Sequence, residues 1–189
     1  MQEIKNRYYE NNELIDMGYT SLKIKALVQN GKLVKIKQGL YRNSLLFSDN
    51  QSFLDVYMAA PNSVICGLSA LYYYQLTTHI PQKVYIAVLR GANLPKILYP
   101  PVKITTINQD MFNESIETVQ ENGYSFRIYG LEKTVCETFR NRMKIGIDIT
   151  KEALKEYMRR QDRDISKLLK ISEICKVRKS LESLLEVML

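Results

Sequence analysis

The stretch Gly18-Tyr19-Thr20-Ser21-Leu22-Lys23-Ile24-Lys25-Ala26-Leu27-Val28-Gln29-Asn30-Gly31-Lys32-Leu33-Val34-Lys35-Ile36-Lys37-Gln38-Gly39-Leu40-Tyr41-Arg42 sets the reading of the fold. Gly18 ends a preceding element, and Thr20-Ser21 offers an N-cap. Ile24, Leu27 and Val28 form an i, i+3, i+4 apolar stripe, so a helix is predicted from about Ser21 to Gln29 and closed by Asn30-Gly31. Val34 and Ile36 then alternate with Lys35 and Lys37, Gln38-Gly39 makes a tight turn, and Leu40-Tyr41-Arg42 returns as a β-hairpin.

Working back from Gly18, Glu13 to Met17 reads as a short helix with Asn11-Asn12 before it. Glu3 to Tyr9 reads as another, with Ile4 and Tyr8 on one face. Helix, short helix, glycine turn, helix and hairpin is the order of a winged helix-turn-helix. The helix at Ser21 is then the one that enters a major groove. With its stripe turned inward, Leu22, Lys25, Ala26 and Gln29 face outward. Thr20 and Ser21 lie at its start, where free amides favour phosphate. Lys23, Lys35, Lys37 and Arg42 could supply phosphate contacts. Leu22 and Ala26 carry no polar group and could at most touch thymine methyls. The alternative is a small helical-hairpin module that binds protein and wears a basic, solvated face.

Charge distribution favours the nucleic-acid reading. The chain has 189 residues and a formal charge of +7. Residues 1–48 carry +4, residues 49–128 carry −1 and residues 129–189 carry +4, the last block mixing fourteen bases with ten acids. From Tyr19 to Asn43 there are six bases and no acid, the cleanest positive field in the chain.

The remainder predicts an α+β domain over residues 49–189, following the helix-turn-helix domain of residues 1–48. Ser44 to Gln51 reads as a linker, followed by a helix stopped at Pro61. Leu68 to Tyr74 is helical, Val84 to Leu89 and Val102 to Ile107 are strands, and Glu117 to Gln120 pairs with Tyr124 to Ile128 around Asn122-Gly123. From about residue 130 the pattern is helical: Leu131 to Arg142, Thr150 to Arg160, Ile165 to Cys175 and Lys179 to Met188. On the first of these, Lys133, Glu137 and Arg140 share one side, opposite part of the Val135/Phe139 stripe. They predict either a wet face of i,i+4 pairs or, through Lys133 and Arg140, a partner surface for toxin, tRNA or a second DNA patch.

Catalysis and metal binding find little support. One histidine and three scattered cysteines argue against zinc, and the thiols read as buried and reduced. Asp162-Arg163-Asp164 has carboxylate spacing but no Gly-Ser turn upstream, so it reads as a charged loop with Asp164 as a cap. His79 reads as a surface or capping residue, and Tyr72-Tyr73-Tyr74 as a helix burying two rings. No run approaches the roughly 18 apolar residues of a membrane span. The N-terminus lacks the apolar core of a signal peptide, so a cytoplasmic location is expected.

Several segments, in order, resemble the AbiEi family of antitoxins. They are Gly67-Leu68-Ser69-Ala70-Leu71, Leu76-Thr77-Thr78-His79-Ile80-Pro81, Val84-Tyr85-Ile86-Ala87-Val88-Leu89-Arg90-Gly91 and Ile128-Tyr129-Gly130-Leu131-Glu132-Lys133-Thr134-Val135. Phe139-Arg140, Arg142, Lys144-Ile145-Gly146 and Ala153-Leu154-Lys155-Glu156-Tyr157 follow. Gly18 to Ser21, Gly31-Lys32-Leu33 and Gly39-Leu40-Tyr41-Arg42 look like that family's winged helix and wing. The resemblance implies a repressor of its own operon joined to an antitoxin domain, acting in phage defence and abortive infection. The implied partners are operator DNA of its own promoter and, functionally, an AbiEii-like nucleotidyltransferase toxin. Such pairs are commonly described as type IV systems, in which the antitoxin need not touch the toxin. The family supplies no catalytic residues, cofactor or small-molecule substrate. The other readings are a winged-helix transcriptional regulator with no linked toxin, and a protein-binding module.

Overall fold

A computed structural model describes residues 2–188. It begins with β1 (Tyr8–Glu10), α1 (Asn11–Asp16), α2 (Ser21–Gln29), β2 (Leu33–Lys37) and β3 (Leu40–Asn43). The three strands form an antiparallel sheet in the order β1-β3-β2. The helix expected over Glu3 to Tyr9 is therefore absent. Tyr8 and Tyr9, both good strand formers, pair instead with Arg42 and Tyr41 across more than thirty residues of sequence.

Alternation along these strands builds two cores. Tyr9, Leu33 and Tyr41 face α1 and α2, where they meet Leu14 and Ile24. Tyr8, Ile36 and Leu40 face the other way, onto α3 (Gln51–Ala59) and the larger sheet, joining Phe53, Leu54, Ile86 and Phe126. The packed interior thus runs without a break across residue 48. A polar knot holds the same junction. Asp55 Oδ1 accepts hydrogen bonds from Tyr8 Oη (2.6 Å), Arg42 Nε (2.8 Å) and Gln51 Nε2 (2.9 Å).

The second part is mixed α+β. It contains β4 (Val64–Ile65), α4 (Gly67–Tyr73), β5 (Val84–Leu89), β6 (Val102–Ile107), α5 (Gln109–Asn113), β7 (Ile116–Glu121) and β8 (Tyr124–Tyr129). The sheet order is β6-β5-β4-β8-β7, with β5/β6 and β4/β8 parallel and the other pairs antiparallel. One face carries the core shared with the small sheet. The other packs Ala87, Ile107, Phe112 and Tyr129 together. The helices α6 (Leu131–Arg140), α7 (Arg142–Ile145), α8 (Ile147–Arg159), α9 (Ile165–Ile174) and α10 (Arg178–Met188) follow. Val135, Phe139, Leu154, Leu168 and Leu181 form their common core with Leu71 of α4. Thr150, where the sequence pattern starts this helix, lies inside α8 and donates its hydroxyl to the Gly146 carbonyl (2.8 Å). Asp164 does cap α9, accepting from the Lys167 amide (2.9 Å).

Candidate nucleic-acid interface

The outward face of α2 is the candidate site. Thr20 occupies the N-cap with extended backbone, and its Oγ1 accepts from the Lys23 amide at 3.4 Å, a long bond. The approach from α1 bends at Gly18, where φ is +90°, a conformation glycine adopts without steric cost. Ile24 is 3% exposed and anchors the helix against Leu14, Leu33 and Tyr41, with Leu27 and Val28 half-buried beside it. The geometry of 3.6 residues per turn then turns Leu22, Lys25, Ala26 and Gln29 away from the sheet, and Ser21 and Lys23 flank them. All six are exposed, Leu22 to 80%. Because α2 lies on the sheet face opposite α3, its outward side projects away from the rest of the molecule.

The hairpin contributes less than its sequence promises. Lys35 and Lys37 are two residues apart and would share a face in a regular strand. A bulge at Ile36 separates them: Lys35 pairs with Tyr41, on the α2 side, and Lys37 pairs with Leu40, on the α3 side. Lys35 stays beside α2, its Nζ donating to Gln38 Oε1 (2.9 Å). Lys37 is turned inward. Its Nζ donates to the Ala59 carbonyl (2.7 Å) at the end of α3, where helix carbonyls lack intrahelical donors. The Leu98 and Tyr99 amides donate to the Ile36 carbonyl (2.8 and 3.2 Å), fixing the bulge from outside.

Arg42 is a correction to the expected phosphate contacts. Its position on β3 places the side chain with Tyr8 and Leu40, facing α3, and it is 7% exposed. Its Nε lies 2.8 Å from Asp55 Oδ1 and its Nη1 donates to the Leu46 carbonyl (2.9 Å). Asp55 lies beyond the acid-free run, so no local charge pattern announces the pair.

Lys133 is a second correction. The side of α6 read as wet is covered, and Lys133 is 0% exposed. Its Nζ donates to the Met111 carbonyl (2.7 Å) and sits 3.7 Å from Glu137 Oε1 and 5.1 Å from the centre of the Tyr129 ring. Burial pushes the Glu137 carboxyl up to about 7, against the pull of Lys133 and Arg140. Arg140 alone of that pair reaches the surface, and its Nη1 also donates to the Cys175 carbonyl (3.2 Å).

The structure therefore gathers Thr20, Ser21, Lys23, Lys25, Gln29 and Lys35 on one side and withdraws Lys37, Arg42 and Lys133. His79 is exposed, Tyr73 and Tyr74 pack at 5.1 Å between ring centres, and Cys66, Cys136 and Cys175 are buried and unbridged. Among the described residues no cluster of three or more histidine, cysteine or acidic side chains is placed to hold a metal, and no helix is long and apolar enough to cross a membrane. A basic group that the sequence reading missed, Arg90, Lys103 and Lys144, meets Arg140 around one cleft, assembled from three separate chain segments. Compared with known proteins, the chain matches no family model and no curated protein.

Proposed function

We propose that the chain is a bacterial antitoxin and autorepressor that binds the operator of its own promoter through α2 and β2, in the cytoplasm and without catalysis. On this reading β1-α1-α2-β2-β3 works as a winged helix-turn-helix in which β1 stands before the helical pair. The observation that carries the DNA-binding part is the outward face of α2: six exposed residues, two of them lysines and none acidic, with Lys35 beside them. The antitoxin part rests on the ordered resemblance of the segments from Gly67 to Tyr157. The functional partner is then an AbiEii-like nucleotidyltransferase, with direct contact not required.

Leu22 favours one second reading. A leucine 80% exposed in the first turn of the outward helix face is also what a protein-docking helix presents. A mobility shift on the DNA upstream of the gene separates the two. With Lys23, Lys25 and Lys35 on phosphates, log affinity falls against log salt with a slope of about −3. No shift at low salt rejects the DNA reading. Co-expression with the adjacent gene tests the antitoxin part, where growth rescue is expected and unrelieved toxicity rejects it.

A further inference from the structure

A cleft of about 390 Å³ opens on the larger domain, between the edge strand β6 and the α6–α7 junction. Its rim carries Arg90 after β5, Lys103 on β6, Arg140 at the end of α6 and Lys144 on α7. Among the described residues lining it, these four cations face one acid, Glu137, which is only 4% exposed. Tyr85 forms part of one wall, and Lys103 Nζ lies 5.1 Å from its ring centre.

We propose that this cleft binds a ribonucleotide, with its phosphates on the cationic rim and its ribose hydroxyls donating to Glu137. Four cations from three chain segments converge on a concavity, and a volume within the range of small-ligand pockets suits a mononucleotide. Arginine and lysine together hold multiply charged phosphate well. A duplex backbone would use the rim alone. The recessed carboxylate instead selects a ligand that carries hydroxyl donors next to its phosphates, because an ionised carboxylate only accepts hydrogen bonds. Lys133 at 3.7 Å and Arg140 keep a share of that carboxyl ionised near neutral pH. The site stands on a different sheet from α2 and does not depend on the DNA-binding reading.

Calorimetric titration of the full chain tests it, using ATP, 2′,3′-dideoxy-ATP and inorganic tripolyphosphate. ATP is expected to bind one to one, and Lys144→Glu or Arg90→Glu to weaken it about tenfold or more, as loss and reversal of a charge-assisted contact require. Both residues are exposed, and unchanged melting temperatures verify that the variants fold. Dideoxy-ATP is expected to bind several-fold more weakly than ATP in the unmodified protein, and the difference to narrow in Glu137→Gln, whose uncharged amide keeps only one accepting oxygen. Operator affinity is expected to be unchanged in Lys144→Glu. The proposal is overturned by an ATP dissociation constant above about 1 mM, which is only about 4 kcal/mol of binding. It is also overturned by undiminished binding in both charge-reversed variants, by tripolyphosphate binding as tightly as ATP, or by operator binding lost with Lys144.

Discussion

Replacing Lys133 with methionine removes a buried cation while keeping most of the side-chain volume, so the cavity cost is small. Two oxygen acceptors lose their partner: the Met111 carbonyl, which accepts from Nζ at 2.7 Å, and the Glu137 carboxylate, 3.7 Å away; the weaker acceptor Cys175 Sγ, at 3.8 Å, loses it too. The unpaired carbonyl costs about 1–3 kcal/mol at any pH. The carboxylate adds a term that depends on pH. Glu137 titrates at about 7 in the folded protein, against an ordinary value of 4.5. The native state therefore holds a proton that the unfolded chain has released. Native stability falls as pH rises from about 4.5 to 7 and levels off above, a total of about 3 kcal/mol at 1.36 kcal/mol per unit. Without Lys133 the folded value moves higher still, and stability goes on falling above pH 7. The variant should lose about 1–3 kcal/mol at pH 6 and roughly 2 kcal/mol more at pH 8.5, reaching the 3–5 kcal/mol typical of a broken buried pair. Urea unfolding of both proteins at the two pH values, under reducing conditions, measures this. The further change Glu137→Gln should abolish the pH-dependent part. An equal loss at pH 6 and pH 8.5 would refute the reasoning.

Three other outcomes follow from the packing. Asp55→Asn leaves the Arg42 guanidinium buried without its counter-ion and should cost about 3–5 kcal/mol by denaturant unfolding, whereas a loss below 1 kcal/mol would show that the junction does not need the pair. Ile24→Ala should cost about 2–5 kcal/mol and Leu22→Ala less than about 0.5 kcal/mol, a contrast that thermal melts resolve directly. Gly67 has φ +51° and an added Cβ would meet Tyr85 Cδ1 at 3.3 Å, whereas Gly39 has φ +79° and open space around it. Gly39→Ala should therefore cost about 1–2 kcal/mol from backbone alone and Gly67→Ala more, a ranking that equal melting temperatures would contradict.

What could be read from the amino acids divides along local and tertiary lines. The α2 helix was predicted to the residue because its cap, apolar stripe and closing Asn30-Gly31 all lie within twelve positions. The strands Val84–Leu89 and Val102–Ile107 were equally clear, the first ended by Arg90-Gly91 and the second preceded by Pro100-Pro101. Tyr8–Glu10 was missed because its partner strand lies thirty residues on, and Ile4 with Tyr8 imitates a helical stripe. The bulge that parts Lys35 from Lys37 leaves no mark in an alternating sequence. Lys133 and Glu137 look solvent-facing because periodicity assigns polar residues outward. Their neighbours from the Met111 and Cys175 segments, which cover that side, lie over twenty and over thirty residues away. The candidate site divides the same way: α2 is local and was legible, whereas the fates of Lys37 and Arg42 depend on α3.

The most direct test of DNA binding through α2 is fluorescence anisotropy of a labelled operator duplex, titrated at several salt concentrations with the unmodified protein and with Lys25→Glu. Lys25 is exposed on the outward face, so the change should leave stability within about 0.5 kcal/mol. The proposed role of α2 requires at least about tenfold weaker binding and a salt slope shallower by about one, as for the loss of one phosphate contact. Full affinity with an unchanged slope would mean that α2 does not face the DNA.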